Sequence, residues 1–218
     1  MNNKLLDAIE IANTVASSEN EPNNTTVELL QVFDANGKPI GIAPRLLCHR
    51  LGLLHRAVFC FIGAPDGRLL LQTRKDGRLD VAVGGHMSSN DSTLEEALLR
   101  EIFEETGLDL GRDRLTKITE YQRQGVDRLS KPHEINRELR TLFFIDLSGD
   151  ECEMLDSRFL NRHDKKSVLA VQWFCLADVL AFCDADQAAD GLVGSISHYL
   201  LWLQNRSGNV SFPIKQTV

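Results

Sequence analysis

The chain has no apolar run approaching the roughly 18 residues that a membrane-spanning helix requires, no CxxC cysteine pair, no internal repeat and no low-complexity tract. The first absence argues against a membrane span. The second argues against a disulfide framework or a cysteine-rich metal knuckle. The five cysteines, Cys48, Cys60, Cys152, Cys175 and Cys183, are odd in number, and most sit among apolar neighbours, as in Val58-Phe59-Cys60-Phe61. They read as reduced thiols of a cytoplasmic protein. Asp7 and Glu10 interrupt the short apolar stretch near the start, so it does not read as a signal peptide. Positive charge is also scarce: 24 Lys and Arg against 31 Asp and Glu give a net charge of -7. That balance argues against a nucleic-acid or anionic-membrane partner, and a phosphate ligand would need a cation or a local basic cluster to be held.

What is present suits a globular core. With 218 residues, 43% of them hydrophobic, a single domain buries roughly 70–75% of its unfolded surface and needs no covalent staple. Residues 1–26 read as an appendage, with a short amphipathic helix over Leu5–Val15 and a polar linker rich in Asn, Ser and Glu. Short strands then begin. Val27–Phe33 turns at Asn36-Gly37 into Pro39–Ile42, and Arg56–Ile62 turns at Pro65-Asp66-Gly67 into Leu69–Gln72. A helix over Thr93–Thr106 is followed by strands near Leu115–Tyr121, Leu139–Ile145 and Val168–Phe174. Helices are expected over Ala177–Cys183 and Ser195–Gln204. The pattern predicts an α+β domain with a mixed sheet over residues 27–182 and a C-terminal helical extension over 183–218.

The segment Ser92–Leu108 carries the chemistry. Ser92 with Glu95 forms a capping-box pattern, Gly107 is a natural C-terminal cap, and Leu98, Leu99, Ile102 and Phe103 predict a buried face. Glu101, Glu104 and Glu105 stand at i, i+3 and i+4, so they share one side of the helix. Each such like-charge pair costs about 0.2–0.5 kcal/mol. They also crowd the helix's C-terminal end, where the dipole disfavours negative charge by about 0.3–1 kcal/mol each. Only Arg100 stands nearby to compensate. Three hard oxygen ligands on one face suit Mg2+ or Mn2+, although a generic helix with paired glutamates is more often a solvated acidic face. Gly84-Gly85, at the end of the apolar strand Leu79–Val83, supplies backbone that a ligand can approach closely.

At these residues the chain resembles the Nudix hydrolase family. Its signature is a glycine, five residues, Glu, seven residues, then Arg-Glu-apolar-x-Glu-Glu-x-Gly-apolar. Arg100-Glu101-Ile102-Phe103-Glu104-Glu105-Thr106-Gly107-Leu108 matches the second half in full. The first half departs: fourteen residues separate Gly85 from Arg100 where the family has thirteen. The early Glu is missing, with Asp91 or Ser92 nearest its place and Glu96 able to brace Arg100 instead. Asp34-Ala-Asn-Gly-Lys, Gly41-Ile-Ala-Pro-Arg, His55-Arg-Ala-Val, Leu69-Leu-Leu-Gln and Val171-Gln-Trp-Phe are similar to the branch containing type I isopentenyl-diphosphate isomerase and its hydrolase-like relatives.

The resemblance implies a mixed β-sheet sandwich between helices and metal-dependent hydrolysis of a diphosphate bond in a nucleoside-diphosphate-linked or related small molecule. It assigns metal binding to Glu101, Glu104, Glu105 and the Gly85 carbonyl, with the same three glutamates catalytic and Arg100 and Gly107 structural. Glu138, just ahead of a strand, is the candidate distant ligand, with an ordinary strand-edge charge as the other reading. Arg74 and Lys75, with Arg78, form a basic cluster suited to phosphate oxygens or to a solvated hairpin end. His49, His55 and His86 stand where the isomerase branch ligates metal, and isolated histidines also serve as hydrogen-bonded structural residues. Isomerisation is the alternative activity, but its catalytic cysteine is replaced by Gly84. A non-catalytic ligand-binding domain is the third reading. A homodimer is compatible with any of them.

Overall fold

The structure is a computed structural model that describes residues 27–125, 135–161 and 168–207. The expected N-terminal helix and linker lie outside the described residues. The fold is α+β: the described residues form nine strands in one mixed sheet, with five helices and a short 3-10 turn at Arg112–Arg114. No helix among the described residues is long and apolar enough to cross a membrane.

The described residues divide into two compact units with interleaved sequence, 27–58, 85–98, 121–125 and 135–140 in the first and 59–84, 99–120, 141–161 and 168–207 in the second. In the first unit β1 (Leu29–Phe33) and β2 (Pro39–Pro44) pair antiparallel, with Gln31 opposite Ile42. Asp34 shapes their turn by accepting hydrogen bonds from the N–H groups of Asn36 and Lys38, and Gly37 adopts φ 78°. Helix α1 (Arg45–Leu51) follows and ends at Gly52, whose φ is 60°. The N–H of Ile135 donates to the His49 carbonyl at 2.7 Å. A Cβ at Gly52 would stand 2.9 Å from Ile135 Cγ2, so the turn after α1 is held close against the start of β8 (Asn136–Asp146). The first strand also pairs with the start of β3 (Leu54–Gly63), Val32 opposite His55. Leu30, Val32, Ala43, Cys48 and Leu53 form the core of this unit.

In the second unit β4 (Leu69–Arg74) is central. It pairs antiparallel with the end of β3, with β5 (Leu79–Val81) and with β9 (Val168–Phe174). The single apolar strand expected over Leu79–Val83 is two strands, β5 and β6 (Val83–His86). The remaining strand is β7 (Thr116–Gly125). Helix α3 (Gly149–Asn161) does not stand out by apolar periodicity, yet Ser148 and Glu151 form a reciprocal cap at its start: each backbone N–H donates to the other's side chain, at 2.7 and 3.2 Å. Helices α4 (Leu176–Asp184) and α5 (Asp190–Ser207) close the described chain. In α5, Leu192 and Tyr199 are buried, and the Tyr199 ring lies 4.6 Å from Phe61 and 5.8 Å from Phe144.

All five cysteines are free thiols. Burial raises the Cys48 thiol to about 12 and pushes Cys60 higher still, so neither ionises near neutrality.

Candidate functional site

The acidic helix, α2, runs from Leu94 to Thr106. Its capping box is one residue further on than the sequence pattern suggests. Thr93, not Ser92, accepts the Glu96 N–H at 3.1 Å, and Glu96 Oε2 accepts the Ser92 N–H at 2.9 Å. Glu96 therefore closes the helix start. At the other end Gly107 takes φ 74° and donates to the Phe103 carbonyl, while the Thr106 hydroxyl donates to that of Ile102 at 2.6 Å. The buried face consists of Ala97, Leu98, Ile102 and Thr106. Leu99 is half-buried, and Phe103, expected in the core, is 58% exposed. The reason is angular: Phe103 lies one position beyond Ile102 and turns out toward the side that carries Glu104.

Arg100 meets the carboxylate crowd directly. Its Nη1 donates to Glu101 Oε1 at 2.8 Å and reaches Glu104 Oε2 at 3.5 Å. Their side chains grade outward, from Glu101 at 14% exposure to Glu104 at 55%. Glu105 turns to the glycine strand, where the Gly84 N–H donates to its Oε2 at 3.3 Å. The stripe is thus tied to the strand that bears the glycines. Gly85 is the next residue in the chain after Gly84. Arg74 contacts Asp80 at 3.1 Å and Asp76 at 3.8 Å, while Arg78 contacts Asp76 at 2.7 Å. The anions these arginines meet here belong to their own hairpin, and Lys75 is exposed at its tip.

A second constellation lies in the first unit. His49 on α1, His55 on β3 and His86 on β6 are all buried, with ring centroids 4.9, 5.1 and 5.0 Å apart. One nitrogen from each lies within 4.8 Å of the others. His55 Nδ1 is 2.8 Å from the Leu53 carbonyl. A carbonyl only accepts, so Nδ1 carries a proton, and Nε2 is the nitrogen that faces the pocket. Glu138, on β8, faces the same space, its Oε1 3.4 Å from His86 Nε2 and 3.8 Å from His55 Nε2. Its Oε2 accepts from Arg140 Nε at 2.6 Å. Both residues are buried, so Glu138 is no strand-edge charge. Burial alone would raise its carboxyl, but the facing imidazoles of His55 and His86 and the Arg140 charge hold it well below the usual range. Burial likewise lowers His86, against the pull of Glu138.

Three imidazoles, one with its outward nitrogen anchored on a carbonyl, together with a carboxylate oxygen, fit a divalent cation. The carboxylate stripe fits one too, by the hardness of its oxygens. Arg140 is absent from the sequence-based site. Its signal was placement two residues after Glu138 in an apolar strand, where both side chains point to one face.

The NUDIX domain family model matches residues 53–192, a span that takes in the glycine strand, the whole of α2 and two of the three clustered histidines. The chain belongs to the Nudix family. An uncharacterised Nudix hydrolase of Rhodococcus erythropolis is 32% identical over 111 residues, 48% of this chain and 60% of that protein. An isopentenyl-diphosphate delta-isomerase of Streptomyces avermitilis is 44% identical over 68 residues, 30% of this chain and 34% of that one. Isopentenyl-diphosphate delta-isomerase 1 of mouse is 26% identical over 167 residues, 65% of this chain and 73% of that one. This Nudix chain thus spans about a third to three quarters of the length of these three relatives. A crystal structure of a Deinococcus radiodurans protein shares the fold, with a TM-score of 0.52 at 20% identity over 75% of this chain and 93% of that one.

Proposed function

We propose that this Nudix protein is a metal-dependent hydrolase of a diphosphate bond in a nucleoside-diphosphate-linked or related small molecule. The observation that carries the reading is the hydrogen bond from Gly84 to Glu105, which fixes one of the three box carboxylates on the glycine strand while Arg100 gathers the other two. Glu101, Glu104, Glu105 and the Gly85 carbonyl would hold Mg2+ or Mn2+. When bound, such an ion offsets the charge of the diphosphate and acidifies a coordinated water. The chain's own contribution is positional. Gly84 sets the direction of Glu105, Arg100 sets the spacing of Glu101 and Glu104, and a box carboxylate accepts the proton of the attacking water. Lys75 is an exposed cation available to phosphate oxygens; Arg74 would have to leave Asp80 to serve the same role.

Two observations favour a second reading, chemistry of the isomerase type: the buried histidine pocket with Glu138, and the stretches of likeness to isopentenyl-diphosphate isomerases. Glycine at position 84 weighs against it, because no thiol stands there to move a proton. The readings separate in one assay. The full chain, given Mg2+ or Mn2+ and a panel of nucleotide sugars, dinucleotides and prenyl diphosphates, should release a phosphate-bearing product from at least one of them. Double-bond migration in isopentenyl diphosphate without release would replace the hydrolase reading with the isomerase one.

A further inference from the structure

Arg140 is among the largest fully buried side chains in the protein, 1% exposed, and it sits inside the histidine pocket. A guanidinium is always charged, so burying one beside a candidate cation site is a costly choice unless it does something there. Its Nε holds Glu138 Oε2 at 2.6 Å, while Glu138 Oε1 turns to His86 and His55. Two consequences follow from charge and geometry. Glu138 has one oxygen committed to Arg140, so it can present only the other to an ion. Its negative charge is also already balanced within the pocket. What faces an entering cation is therefore three imidazole nitrogens and one charge-compensated oxygen. Mg2+ and Mn2+ favour sites of carboxylate, carbonyl and water oxygens, whereas Zn2+ and Co2+ accept imidazole readily.

We propose that Arg140 sets the cation preference of the histidine pocket, holding Glu138 so that the site favours Zn2+ or Co2+ over Mg2+ and Mn2+. The protein would then carry two cation sites of different chemistry, a hard carboxylate stripe on α2 and a nitrogen-rich pocket in the first unit. This rests on the pocket being a metal site and is independent of hydrolysis at the stripe.

The test is binding, read on the full chain. Co2+ titration followed by visible absorption reports nitrogen-rich coordination and so distinguishes the pocket from the carboxylate stripe, and Mn2+ competition against that signal gives a preference ratio. Wild type should bind one Co2+ with this signature and resist Mn2+. Arg140→Met frees Glu138 and should shift the ratio toward Mn2+ by about tenfold or more, the range typical of residues that orient metal ligands. Because that variant leaves a buried carboxylate without its partner, Glu138→Gln combined with Arg140→Met is the companion: it removes both charges, and Co2+ affinity should stay within about threefold of wild type. A ratio unchanged in Arg140→Met, or a tenfold loss of Co2+ in the double variant, overturns the proposal. Absence of any nitrogen-rich Co2+ signal in wild type overturns it together with the pocket's metal role, while Mg2+-dependent turnover and its loss in a stripe variant judge the hydrolase reading separately.

Discussion

The stripe on α2 and the pocket around Glu138 handle glutamate in opposite ways. On α2 three carboxylates crowd one side of a helix, graded from half-buried to exposed, with Arg100 reaching two of them. In the pocket one carboxylate is buried with its own guanidinium and two facing imidazoles. The first arrangement sets three carboxylates side by side, which suits a hard cation. The second surrounds one carboxylate with a guanidinium and imidazoles, so the glutamate there acts mainly on its neighbours. A carboxylate's function follows from how completely the fold has already neutralised it.

Replacing glutamate by glutamine in each place should separate the two most sharply. Glu104→Gln is expected to lower metal-dependent turnover by about 10²-fold or more. Its thermal stability should be unchanged or slightly higher, because a like-charge helix pair has been removed. Wild-type turnover in that variant would overturn the ligand assignment. Glu138→Gln should do the reverse in the pocket: it takes one charge out of a buried ion pair and is expected to cost about 3 kcal/mol or more of folding stability, measurable by denaturant unfolding. A cost below about 1 kcal/mol would mean that the Glu138–Arg140 pair adds little to folding.

Smaller changes probe the supports. Thr93→Ala removes the hydroxyl that caps the stripe's helix and should cost about 1 kcal/mol, with metal affinity at the stripe largely preserved. Glu151 is an intermediate case, half-buried and bidentate to Arg114 at 2.9 and 3.0 Å, and the Arg114 hydrogen bonds hold its carboxyl down at about 2. A carboxyl lowered by folding stabilises above its unfolded pKa of about 4.3 and loses that contribution as pH falls through the folded value. Glu151→Gln should therefore be less stable than wild type by about 1 kcal/mol or less at pH 7. The gap should close between about pH 4.5 and 2 in acid unfolding curves. A gap that persists at pH 2 would assign the loss to the cap on Ser148 rather than to charge.

Much of the stripe was legible in the chain because helical spacing alone brings Glu101, Glu104 and Glu105 to one side and local rules mark the conflict they create. The two hairpins were legible through their turn residues, Asn36-Gly37 and Asp66-Gly67. The pocket was only half legible. His49, His55 and His86 come from a helix and two strands, and no local pattern says that α1 ends against Ile135 or that β8 brings Arg140 beside them. Helix α1 has seven residues, too short for its periodicity to stand out. Helix α3 escaped for a different reason: its signal was the Ser148–Glu151 cap and not an apolar stripe. Phe103 misled because a neighbour of a core residue shares its polarity but not its direction.

One acidic residue elsewhere in the sheet carries a consequence for how the chain ends. Asp80, buried on β5, accepts the Val81 N–H at 3.0 Å and a further hydrogen bond from the backbone of Leu192, in the first turn of α5. Gly191 lies so close that a Cβ there would collide with the Asp80 carboxylate and touch the Phe59 ring. Helix α5 is therefore moored to the interior through the buried Asp80 carboxyl rather than laid on as a removable tail. Cutting it away would remove a backbone partner of Asp80 and open the aromatic stack of Phe61, Phe144 and Tyr199, so a chain shortened to its first 189 residues should lose the packed interior of the second unit.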